Sequence, residues 1–144
     1  MIIRYLIVHC SATRCNVPFS LEQLRLSHRA NGWKEIGYHF YITRDGRVHQ
    51  IRPLNSAGIH ARGYNHCSVG ICYEGGLDEK GNPTDTRTRF QKDAHWDVLF
   101  ILKQCFPQAQ VIGHSQLPDV KKACPCFDAK KEYQSNFSIQ PPHE

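Results

Sequence analysis

No apolar run in the 144 residues approaches the roughly 20 needed to span a bilayer, so no contact with a membrane interior is expected. A secretory signal is also missing. Met1 runs straight into Ile2-Ile3, without a charged n-region or a small-residue cleavage site, so synthesis in the cytoplasm is the expectation. There are no internal repeats and no low-complexity segments, which sets repeat architectures aside. Acidic residues are fewer than basic ones, 13 against 18, and the formal net charge is +5. That balance favours anionic partners, an anionic cell wall among them. It does not favour nucleic acid: Lys121-Lys122 and Lys130-Lys131 are the only basic doublets, and no known binding module appears.

Seven cysteines are present, an odd number where a secreted disulfide framework prefers an even one, so a reducing site of synthesis is the simpler reading. Cys10, Cys72 and Cys105 have apolar neighbours and are expected as small core residues. The length suits one domain with one core, and 40% apolar with 22% charged residues fits a folded chain.

Ile2 to His9 is apolar without alternation, the pattern of a strand buried on both faces, and is expected at the sheet centre. Ser20 with Gln23 forms a capping box; Leu21, Leu24 and His28 follow helical spacing, and Asn31-Gly32 ends the helix. Gly37 to Ile42 reads as an aromatic strand, Asp45-Gly46 as a hairpin turn, and Val48 to Ile51 as the return strand. Val69 to Tyr73 is another buried strand. Thr88 with Gln91 opens an amphipathic helix carrying Phe90, Ala94, Val98, Ile101, Leu102 and Cys105 on its apolar face. Gln110 to Gly113 is a last strand, and Asp128 caps a short helix through Tyr133. The expected fold is α/β: a single domain with a central mixed sheet of about five or six strands flanked by helices. It covers residues 1–134, with a polar tail over 135–144.

His114 and Cys124 lie ten positions apart, with Lys122 two before the thiol, and His9 closes the first strand. Both histidines fall at C-terminal strand ends, the edge where α/β sheets bind ligands. Two imidazoles and one thiolate suit zinc. Three protein ligands leave a coordination position open, as catalytic sites do. Cys126 competes with Cys124 for the ligand role. Pro125 between them is expected to keep the backbone extended and send the two side chains to different sides. Tyr38 and His39 likewise cannot both face the metal from a regular strand. A thiol nucleophile at Cys124, with His9 or His114 as base, is the rival chemistry.

Taken together, Ile7-Val8-His9-Cys10-Ser11-Ala12-Thr13, Gly37-Tyr38-His39-Phe40, Arg44-Asp45-Gly46, His60-Ala61-Arg62-Gly63-Tyr64-Asn65, Ser68-Val69-Gly70, Gly113-His114 and Lys122-Ala123-Cys124-Pro125 resemble the zinc N-acetylmuramoyl-L-alanine amidase family. That family includes phage amidases and peptidoglycan recognition proteins. The likeness spans residues 3–133 and is closest to the small single-domain phage type. It implies one zinc ion held by His9, His114 and Cys124, with Tyr38 and Lys122 as the catalytic pair and His39 turned to the core. It places His60 in the pocket and, with Asn65, among the substrate contacts. The residues alone also allow His60 behind the metal, and Asn65 with Ser68 as braces of the loop. The implied reaction is hydrolysis of the amide between N-acetylmuramic acid and the L-alanine of the peptidoglycan stem, by a monomer reaching the wall after release or export. A non-catalytic peptidoglycan-binding module on the same fold is the alternative. Some recognition proteins lost activity with the cysteine ligand, which is present here. Ser115 to Lys121 lacks the acidic pattern common after the family's Gly-His.

Overall fold

A strand covered on both faces must be apolar at successive positions, and β1 (Tyr5–Cys10) is buried at every residue after Tyr5 in the computed structural model, which describes residues 2–134. β1 pairs in parallel with β5 (Ser68–Tyr73) on one side and β7 (Gln110–Gly113) on the other. β5 pairs in parallel with β3 (Phe40–Ile42), and β3 pairs antiparallel with β4 (Val48–Gln50) across the Asp45-Gly46 turn. The order of this five-stranded mixed sheet is β4-β3-β5-β1-β7. A parallel two-residue ribbon, β2 (Thr13–Arg14) with β6 (Gly76–Leu77), lies beside it.

The mixed sheet matches the expected architecture, with shifts in detail. The first strand starts at Tyr5 rather than Ile2, and β5, not β1, holds the centre. Any strand covered on both faces reads as a continuous apolar run, so sequence does not rank β1 and β5. The polar tail expected over 135–144 lies outside the described residues.

Helix α1 (Leu21–Ala30) opens on the expected box: Gln23 N donates to Ser20 Oγ at 3.2 Å, and Ser20 N to Gln23 Oε1 at 2.7 Å. Helix α2 (Arg89–Cys105) repeats the device with Thr88 and Gln91. Asp128 Oδ1 accepts from Lys131 N at 3.0 Å and caps α3 (Ala129–Gln134). Leu6, Val8 and Cys10 of β1 pack in one cluster with Ala94, Val98 and Leu102 of α2. Leu24 of α1 packs with Tyr41 and Cys72 in another. Alternation along β1 therefore sends Ile7 and His9 away from α2. Among the described residues no helix is long and apolar enough to cross a membrane.

The buried face of α2 is Gln91, Ala94, His95, Val98, Leu99 and Leu102; Phe90, Ile101 and Cys105, expected inside, are exposed. Two polar residues turn the helix this way. Gln91 Nε2 donates to the strand-end carbonyls of Ile42, at 3.1 Å, and Glu74, at 2.9 Å. His95 Nδ1 lies 3.3 Å from Arg87 Nη1, which can only donate, so the His95 proton sits on Nε2, a buried atom without a partner.

Burial, reinforced by the Arg87 charge, lowers His95 to about 3 from 6.5. The unfolded chain therefore takes up a proton between those values that the folded chain refuses, and stability falls as pH drops through that window. The slope is about 1.4 kcal/mol per pH unit for each such group. Replacing His95 with Leu is expected to flatten the pH dependence of urea unfolding between pH 6 and about pH 4 by close to one proton.

Candidate metal centre

The β1–β7 pairing builds the site. Val8 stands opposite Gly113, so the residues that follow, His9 and His114, emerge side by side with ring centroids 4.5 Å apart. His114 opens a 3-10 turn, and Ser115 N donates to Cys124 O at 2.8 Å, fastening the thiol-bearing loop to that turn. Cys10 N donates to Cys124 Sγ at 3.2 Å. A Cβ on Gly113 would sit 2.7 Å from Pro125 Cδ, so the loop lies flush against β7 only because that position is glycine.

The segment after Cys124 is turned, not extended as expected. The Cys124-Pro125 peptide is cis and Cys126 has a φ of 69°. Cys126 Sγ points instead at Cys10 Sγ, 3.9 Å away. Cys124 is thus the thiol that joins the histidines: one ligand atom from each of His9, His114 and Cys124 lies within 4.8 Å of the others. Ordinary zinc bond lengths and tetrahedral angles place a ligand nitrogen about 3.6 Å from a ligand sulfur. His9 Nδ1 and Cys124 Sγ are 3.9 Å apart. The donor set and its spacing fit the ion.

Burial lowers His9 well below 6.5, with the charges of His60, His114 and Lys122 adding to it; burial and then Lys122 lower His114. Both rings are therefore neutral near pH 7, the form in which imidazole offers a lone pair to a metal. Lys122, exposed and two residues before Cys124, is a positive charge that acts on both rings. The Tyr38 ring lies 5.0 Å from that of His9. Burial pushes its phenol well above 10, with Cys72, Cys124 and Cys10 pushing the same way, so it stays a proton donor. His39 faces away: Gly70 N donates to its Nδ1 at 3.0 Å, and its Nε2 lies 2.7 Å from Ser56 O.

His60 reaches the centre from behind, its Nδ1 2.8 Å from His9 Nε2 and its Nε2 3.2 Å from Ser68 Oγ. Burial, followed by the His39 and His114 charges, lowers it to about 3. Asn65 Oδ1 accepts from His60 N and Ala61 N, both at 2.9 Å, so its carbonyl is engaged in holding the loop. Sequence reasoning missed two supports. His28 accepts from Gly37 N at 2.9 Å, with its ring 5.4 Å from Tyr38; its signal was an imidazole at a buried helix position. Cys10 N had none, because every residue but proline carries the same amide.

Residues 1–127 match the family described as N-acetylmuramoyl-L-alanine amidase. The chain is 42% identical over 124 residues to the endolysin of Enterobacteria phage K11, covering 86% of this chain and 81% of that protein. It is 39% identical over 136 residues to the endolysin of Klebsiella phage KP32, covering 94% and 89%. Among solved structures, N-acetylmuramoyl-L-alanine amidase LysC from Clostridium intestinale URNW superposes with a TM-score of 0.78 over 96% of this chain and 87% of that one. At 24% identity this is a likeness of fold.

Replacing Gly113 with Ala is expected to displace Pro125 and the Cys124 loop. Zinc affinity, read by competition with a chromophoric chelator, should fall roughly tenfold or more, with the far-ultraviolet circular dichroism unchanged.

Proposed function

The chain belongs to the N-acetylmuramoyl-L-alanine amidase family and is a cell-wall lytic amidase, and from that premise we propose that it works as a zinc hydrolase, with one ion held by His9, His114 and Cys124. The bond cut is the amide joining the lactyl group of N-acetylmuramic acid to L-alanine of the peptidoglycan stem. The observation that carries the zinc reading is the convergence of two imidazoles and one thiol within 4.8 Å, drawn from opposite ends of the chain.

An amide is a weak electrophile, and water at neutral pH is a weak nucleophile. Bound zinc supplies a Lewis acid and an activated water at neutral pH. The protein's part is to place donors where negative charge develops. The Tyr38 phenol keeps its proton and lies against the His9 ring, so it is the group that donates a hydrogen bond to the carbonyl oxygen as it becomes anionic. The Lys122 ammonium acts on the same oxygen through its charge; losing one such donor typically costs about 3 kcal/mol of transition-state stabilisation. The products are a free lactyl carboxylate and the free amine of L-alanine. The net charge of +5 draws the protein, working as a monomer, to the anionic wall once it has been released or exported.

Mass spectrometry of digested peptidoglycan should find that carboxylate and that amine in equal amounts. Chelation should abolish wall clearing and added zinc restore it, whereas a hydrolase using the Cys124 thiol as nucleophile would survive the chelator. Replacing Lys122 with Ala should lower turnover by at least about tenfold, and by roughly a hundredfold if it is a full oxyanion donor, with zinc content unchanged. Normal turnover in that variant would remove Lys122 from the mechanism.

A further inference from the structure

A line of hydrogen bonds leads from the three ligands into the start of β5, and its proton positions follow from its far end. The Ser68 hydroxyl, fully buried, donates to Tyr64 O at 2.7 Å. A hydroxyl has one proton, so toward His60 the Ser68 oxygen only accepts. The 3.2 Å contact between that oxygen and His60 Nε2 therefore has its proton on the nitrogen. In a neutral imidazole the other nitrogen, Nδ1, is then a bare acceptor. It lies 2.8 Å from His9 Nε2, which must supply the proton of that bond. His9 Nδ1 keeps its lone pair, and Nδ1 is the atom that faces Cys124 Sγ at 3.9 Å.

We propose that His60 is a positioning residue of the metal centre: it locks His9 in the Nε2-protonated tautomer that turns Nδ1 to the ion, and Ser68 locks His60 in the tautomer that does so. The proposal rests on the zinc reading above. It gives His60 a different task from the substrate contact implied by the family resemblance, because both of its ring nitrogens are engaged inside the protein. Metal-bound histidines commonly donate their second N–H to a carboxylate, a carbonyl or water; here a second imidazole takes that place.

The packing independently shows a seat made for this ring. A Cβ on Gly70 would lie 2.7–2.9 Å from three atoms of the His60 ring, and one on Gly58 would lie 2.7 Å from its Cδ2. Neither glycine has a positive φ, so it is the space that demands them. Asn65 holds the His60 backbone amide from the other side. The ring lies against Gly70 of β5 and against Gly58, while Asn65 anchors its backbone.

Long-range proton–nitrogen correlation spectra of histidine-labelled, metal-free protein read the tautomers directly. Protons on Nε2 of both His9 and His60 are expected; a proton on His9 Nδ1 overturns the proposal. Zinc affinity by chelator competition is the second readout. His60→Ala should weaken binding roughly 10- to 100-fold. His60→Gln, which offers an acceptor oxygen, should recover most of the loss, and His60→Leu, which only fills space, should not. Ser68→Ala should leave both His9 tautomers populated. Unchanged affinity in His60→Ala, or rescue by Leu equal to that by Gln, also overturns it. If His60→Ala does not fold, the wild-type and Ser68→Ala spectra decide. A wild-type protein that binds no zinc would defeat the zinc reading, while the spectra still test the hydrogen-bonded relay.

Discussion

Parallel pairing of β1 with β7 is the constraint on which the rest depends. Two strands far apart in sequence run in the same direction, in a register that brings Val8 opposite Gly113. Because they run the same way, both end at the same sheet edge, and the residue after the last pair of the ladder is a histidine on each strand, His9 and His114. An antiparallel pair would have put the two rings at opposite edges. The thiol then needs only a short loop fastened to the first turn after β7. The hydrogen bond from Ser115 N to Cys124 O makes that fastening.

The candidate metal centre is asymmetric. On one side lies the exposed Lys122, proposed above to act on the substrate. On the other lie the buried His9, His39 and Ser68, with the His60 ring between them, hydrogen-bonded to His9 and Ser68 and edge-on to His39. Backbone amides take part on the buried side, Cys10 N toward Cys124 Sγ and Gly70 N toward His39 Nδ1. Such donors are fixed by the sheet and do not reorganise as charge changes nearby, which suits a site where charge develops on the open side.

Much of this was legible in the sequence, for a physical reason in each case. Capping boxes at Ser20 and Thr88, the Asp45-Gly46 turn and the apolar strands are local chemistry and can be read locally. The histidines at strand ends were legible because strand ends bind ligands. What escaped depends on groups distant in sequence. The inward face of α2 follows from Gln91 reaching the carbonyls of Ile42 and Glu74, so a hydrophobic count misplaced Phe90 and Ile101. Cys105 looked like a core residue beside Leu102 and lies exposed at the helix end. The orientation of His60 depends on a serine proton and on two glycines that leave it space, none of which carries a periodic signal.

The ligands also have an order in time. His9 belongs to the first strand and Cys124 stands 115 positions later, so the thiol is among the last parts of the centre to be synthesised. A nascent chain still attached to the ribosome, or one cut short before that loop, has no complete set of ligands. On the zinc reading, a fragment that ends before the Cys124 loop lacks a ligand and has no hydrolytic capacity. A zinc ion held as proposed would also clasp distant parts of the fold across a very long loop, where cross-linking removes the most freedom from the unfolded chain.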